Sequence, residues 1–186
     1  DPASPVWGPA VARQAGVVHD AGTAGLTRLA DGQAMVMIFG DDAEEYEVFS
    51  APADGRALTE ATWTSRASGD SPAGFEAYQN LQLITRCDGA LMVLGTHKTL
   101  LGDDWADLWR VELDPDTLAP TFTKVAKRNL TCRSASTGDT RYCDFQAGAG
   151  GFIGAGGRLY IYGVEHYDDA FPGDGEGVKV REFPPT

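Results

Sequence analysis

The chain has 186 residues, 42% of them hydrophobic, with 23 glycines, a net charge of −12 and a pI near 4.5. That length fits one domain or two small ones, and the apolar fraction is too high for disorder. A surface this acidic repels phosphate backbones and anionic headgroups, which argues against nucleic-acid binding, and no apolar run approaches the ~20 residues of a membrane span.

The chain opens Asp-Pro-Ala-Ser-Pro, which reads as a mature terminus or a linker. Residues 6–13, with Trp7, are expected to form a strand. GTAGLTRL follows as a strand of small residues, then a turn at Asp31-Gly32, then the apolar run QAMVMIFG. EYEVFSA alternates and ends in a proline turn, and EATWTSRAS is a short polar strand behind Trp63. SPAGFEAYQNL is the best helical stretch, with Ser71 placed to cap a turn before Phe75, Glu76 and Tyr78, although it reads equally well as extended chain.

The same series then returns. QNLQLITR leads through Cys87-Asp88-Gly89 to ALMVLG, then DLWRVELDP, then PTFTKVAKR with Phe122. In the last third, QAGAGGFIG leads through Gly157 to RLYIYG and GVKVREFPPT. Between the second and third series lies the polar loop RSASTGDTRY, flanked by Cys132 and Cys143. A disulfide between these two would be worth roughly 2–3 kcal/mol on the chain-entropy estimate, and it implies an oxidising compartment. Cys87 then remains as a small buried filler at a strand end.

Aligned on Gly32, Gly89 and Gly157, the chain divides into three units, roughly 14–66, 67–127 and 128–186, with the N-terminal strand 6–13 apart. The apolar runs after each glycine are too short for helices and read as strands buried on both faces. Each unit has four strands, the chain starting on a fourth strand and ending on a third. This pattern resembles the blades of a β-propeller across nearly the whole chain. The expected fold class is therefore all-β, with three four-stranded antiparallel blade-like repeats. Three blades are too few to close a ring, since propellers use four to eight. The resemblance thus implies half of a six-bladed ring completed by a homodimer, or a missing chain partner. A β-trefoil, or another β barrel or sandwich, is the rival fold.

In the propeller frame one loop face collects His19, His97 and His166, and Glu76 and Asp144 stand in positions equivalent to His19. Trp105, Glu165 and Tyr167 join them there, giving acids beside aromatic rings that suit sugars or cationic peptides. Asp168, Asp169, Asp174 and Glu176 lie in a glycine-rich loop dense in oxygen ligands, which makes calcium the cofactor to test. There is no G-x-S-x-G elbow, H-E-x-x-H or P-loop. The expected function is a secreted or cell-surface binding module that recognises a glycan or protein through its loop face. The alternative is a carboxylate-dependent hydrolase or lyase acting on polysaccharide or peptide, with Asp144, Glu76, Glu165 and Asp169 as its first acids.

Overall fold

The computed structural model describes residues 24–40, 43–54, 61–86, 88–97, 105–129, 132–133, 140–141, 144–145, 150–166 and 177–185. Most of them are in β-strands, and no α-helix occurs among them. The strands β1 (Ala24–Arg28), β2 (Ala34–Phe39), β3 (Glu45–Ala51) and β4 (Thr64–Asp70) form a first antiparallel sheet in sequential order. The second sheet is built the same way from β5 (Tyr78–Thr85), β6 (Leu91–His97), β7 (Trp105–Leu113) and β8 (Pro120–Asn129). A two-stranded ribbon, β9 (Cys132–Arg133) and β10 (Thr140–Arg141), follows. The third sheet holds β11 (Asp144–Phe145), β12 (Gly150–Ile153), β13 (Arg158–His166) and β14 (Gly177–Pro185). Because β14 runs along one edge of β13, the short β11 and β12 share the other edge, like one interrupted strand.

The turns between first and second strands explain the glycines. Gly32, Gly89 and Gly157 take φ of +88°, +84° and +76°, a region that side-chain-bearing residues rarely enter. The amide of each donates to the carbonyl three residues back, at Leu29, Arg86 and Gly154. A second bond closes each turn: Leu29 to Gln33, Arg86 to Ala90 and Gly154 to Arg158. Asp31 and Asp88 brace the first two turns by accepting the amides of Gln33 and Ala90.

Two cores hold the three sheets together. Met35, Met37, Phe39 and Val48 of the first sheet pack against Leu81, Leu83, Leu91, Val93 and Val111 of the second. The other face of the second sheet presents Ile84, Met92, Leu94, Ala106 and Leu108 to Leu159 and Ile161 of the third. The second sheet is therefore the middle layer. The first strands also meet: β1 lies along β5, where the Thr27 and Thr85 hydroxyls share a 2.5 Å hydrogen bond. β5 in turn lies along β12, where the Gln82 side-chain oxygen accepts the Gly151 amide at 2.6 Å.

The expectation of apolar runs buried on both faces holds for β6 alone. On β2, Val36 and Ile38 stay partly open, and on β13 Tyr160 and Tyr162 do. The reason is position: β2 and β13 belong to the outer layers. The stretch expected as a short helix is a single 3₁₀ turn, Phe75–Ala77, that runs straight into β5. Phe75 is fully buried and packs its ring against Phe39, Tyr78, Trp109 and Phe122, at centroid distances of 5.0–5.7 Å. Burial of that ring fixes the turn, so no cap on Ser71 is needed. Trp63 lies just ahead of β4 and packs with Ala34, Ala51 and Ala61.

Candidate functional site

At one end of the second sheet Tyr78 opens β5, His97 closes β6 and Trp105 opens β7. The register sets these three opposite one another in a row. Trp105 is half-buried, and the Lys127 ammonium sits 3.9 Å from its ring centroid, a cation–π contact. Glu76 lies exposed just before β5 and accepts the Gly74 amide at 2.8 Å.

Beneath this row lies a polar group that the sequence analysis did not single out. Asp107 is only 2% exposed. Its Oδ2 accepts the Tyr78 hydroxyl at 2.6 Å and pairs with the Lys124 ammonium at 2.7 Å. The Trp109 indole N–H donates to the Tyr78 oxygen at 3.0 Å, which completes a chain from the aromatic core to the carboxylate. Asp107 Oδ1 is buried with no partner among the described residues. Burial, and then the bond to Asp107, push the Tyr78 hydroxyl well above the ordinary phenol range, so it stays a donor well into alkaline solution. A signal for Asp107 was present in the pattern. Residues 105, 107, 109 and 111 alternate as Trp, Asp, Trp and Val, which sets an acid on an otherwise apolar stripe.

The first sheet carries a related arrangement. Glu47 on β3 is 3% exposed and accepts the Ser65 hydroxyl at 2.7 Å. In each sheet the bond comes from the fourth-strand residue that stands opposite the position two beyond the acid: Ser65 opposite Phe49, and Lys124 opposite Trp109. Both acids thus tie the third strand of their sheet to the fourth.

On the third sheet the register sets Asp144 opposite His166 and Glu165 opposite Phe145. The two acids thus fall at successive positions, not at one. His97 and Trp105 form one opposed pair and Asp144 and His166 another. His19, Tyr167, Asp168, Asp169, Asp174 and Glu176 lie outside the described residues, as do Cys87 and Cys143. The loop expected to bind calcium therefore lies outside the described residues. Among the described residues no three His, Cys, Asp or Glu side chains gather to hold a metal ion, and no helix is long and apolar enough to cross a membrane. The ribbon returns the chain on itself, with Arg141 opposite Cys132.

The opposite end of the second sheet carries an open groove of about 350 Å³, lined by Arg86, Asp88, Ala90, Met92, Arg110 and Val125. Its arginines pair locally, Arg86 with Asp88 at 3.3 Å and Arg110 with Glu112 at 3.2 Å. No known family model matches the chain, and neither a curated protein nor a solved structure is similar to it.

Proposed function

We propose that the chain is a non-catalytic binding module, secreted or displayed at a cell surface, that engages a glycan or a protein through the loop end of three blade-like sheets. One observation carries this reading. The indole of Trp105 stands at the loop end beside His97, half-open and backed by Lys127, while the acid beneath it is engaged by Tyr78 and Lys124. A rigid ring with nearby polar donors suits the face of a sugar or an aromatic or cationic side chain. The blade reading is supported by the three matching glycine turns and by the first strands lying side by side.

A glycan array followed by titration of the best hit tests the proposal. Trp105→Ala should weaken binding at least about tenfold while the unfolding midpoint moves little, as expected for an aromatic hot spot. Unchanged binding would remove Trp105 from the site and with it the reading. The second reading, a carboxylate-dependent hydrolase or lyase, is favoured by Asp144 standing opposite His166. It requires turnover of the bound ligand and loss of that turnover in Asp144→Asn. Binding without turnover decides for the module. Non-reducing mass spectrometry tests the disulfide: a Cys132–Cys143 bond joins the peptides that carry them until reductant is added.

A further inference from the structure

Among the described residues the two outer layers leave apolar side chains open on two faces that differ from each other. Positions counted from the turn glycines make the comparison controlled. Val36, Val93 and Ile161 each lie four residues after their glycine. Val93 and Ile161 are fully buried, because the preceding sheet covers them, whereas Val36 is partly open. Leu26 and Leu83 each lie six residues before their glycine. Leu83 is buried against the first sheet, and Leu26 is 58% exposed. The opposite faces show the converse. Met37 and Leu94, five residues after their glycines, are fully buried under the following sheet, whereas Tyr162 at that position is 38% exposed. Phe152 is 50% exposed beside it and stacks on Tyr160 at 4.9 Å.

Each junction within the chain therefore uses the same two surfaces, the forward face of one sheet against the backward face of the next. Among the described residues the first sheet leaves Leu26 and Val36 open on its backward face, beside Phe49 and Ala51 of the same face, which are buried. Among the described residues the third sheet leaves Phe152, Tyr160 and Tyr162 open on its forward face. Such a pair is complementary by construction, and a head-to-tail contact between copies either closes or runs on as a filament. Three sheets per chain and four to eight blades per propeller allow closure with two. We infer that a second copy of this chain covers both faces, the third sheet of each copy packing forward on the first sheet of the other. The contact continues the two junctions already present inside the chain, and the inference rests on the blade reading above.

Sedimentation velocity from about 1 to 100 μM tests it without any ligand. The native chain should sediment as a dimer that does not grow into longer species. Leu26→Glu and Tyr162→Arg alter open side chains on opposite faces, and each alone should raise the dimer dissociation constant at least about tenfold. Mixing the two variants should restore the dimer, since one junction is then native and the other pairs Glu with Arg. A near-native circular dichroism spectrum checks that each variant is folded. A native chain that stays monomeric would overturn closure by a second copy, and it is the result expected if further sheets of a longer chain cover these faces. A dimer unaffected by both variants, or lost in only one of them, would overturn the head-to-tail junction. A monomer that still binds its ligand through Trp105 would sink closure and leave the binding reading standing.

Discussion

Asp107 is the residue whose removal says most about this molecule. Asp107→Ala strips the Tyr78 hydroxyl and the Lys124 ammonium of their shared acceptor. Lys124 is substantially exposed and returns to water, so most of the loss comes from the buried hydroxyl. The expected destabilisation is about 2–3 kcal/mol by urea denaturation, and Lys124→Ala should cost less than about 1. Tyr78 also sets an alkaline limit. Its folded pKa lies above the ordinary phenol value of 10.0, raised by burial first and by the bond to Asp107 second. The stability this confers is complete below the unfolded value and fades as pH rises through the folded one. Unfolding midpoints measured from pH 8 to 11 should fall above about pH 10, and Tyr78→Phe should flatten that fall. At the acid end the sign reverses. Asp31 is lowered by the amide and side chain of Gln33, and Asp114 by the amide and hydroxyl of Thr117. Their contribution is present above the unfolded value of 3.8 and is lost as pH falls through the lower folded values. Asp31→Ala and Asp114→Ala should each reduce the acid dependence of the midpoint below pH 4, without reaching the core.

At the scale of strands the layer order makes a sharper prediction. Val36→Ala and Val93→Ala are the same change at the same place in two hairpins. Val93 lies inside the first core, so its truncation should cost about 2–3 kcal/mol. Val36 is only partly buried, so in the monomer its truncation should cost less than about 1. Denaturant midpoints of the two variants, measured where the chain is monomeric, check the pair. Gly25 tests the junction itself: a side chain there would overlap Leu83, so Gly25→Val should destabilise by about 1–3 kcal/mol through overpacking. Much of this level was legible beforehand. The glycine turns, the apolar second strands and the alternating third strands are local patterns, and a period of two needs no tertiary knowledge. Two things were not local. Which faces meet depends on sheet order, so Val36 and Val93 look alike in sequence. Asp107 stands out as an acid on an apolar stripe, but its partners Tyr78 and Lys124 come from other strands and had no local signal. Glu76 and His97 were singled out as loop-face residues, but nothing in their spacing pointed to Tyr78 between them, whose ring and hydroxyl link that end to the core.

Across the whole molecule, both cores borrow the middle sheet, and this orders the stability of the three layers. Among the described residues the first and third sheets share no core with each other, so each depends on the second. Losing the second sheet exposes both cores at once, whereas losing the third exposes one. Local openings should therefore be lowest in free energy in the outer layers and reach the global value in the middle. Hydrogen exchange should find β6 and β7 most protected, with β2 next and β12 and β13 weaker. Among the described residues the third sheet buries fewer large side chains against its neighbour than the first does. Ile161→Ala isolates this dependence, since Ile161 is fully buried and belongs to the second core. It should raise exchange in β12 to β14 by at least about tenfold while leaving β2 and β3 almost unchanged, consistent with an Ile→Ala loss of about 2–4 kcal/mol confined to one junction. A uniform rise across all three sheets would mean that they open as a single unit, and that the middle layer transmits a loss on one face to the core on its other.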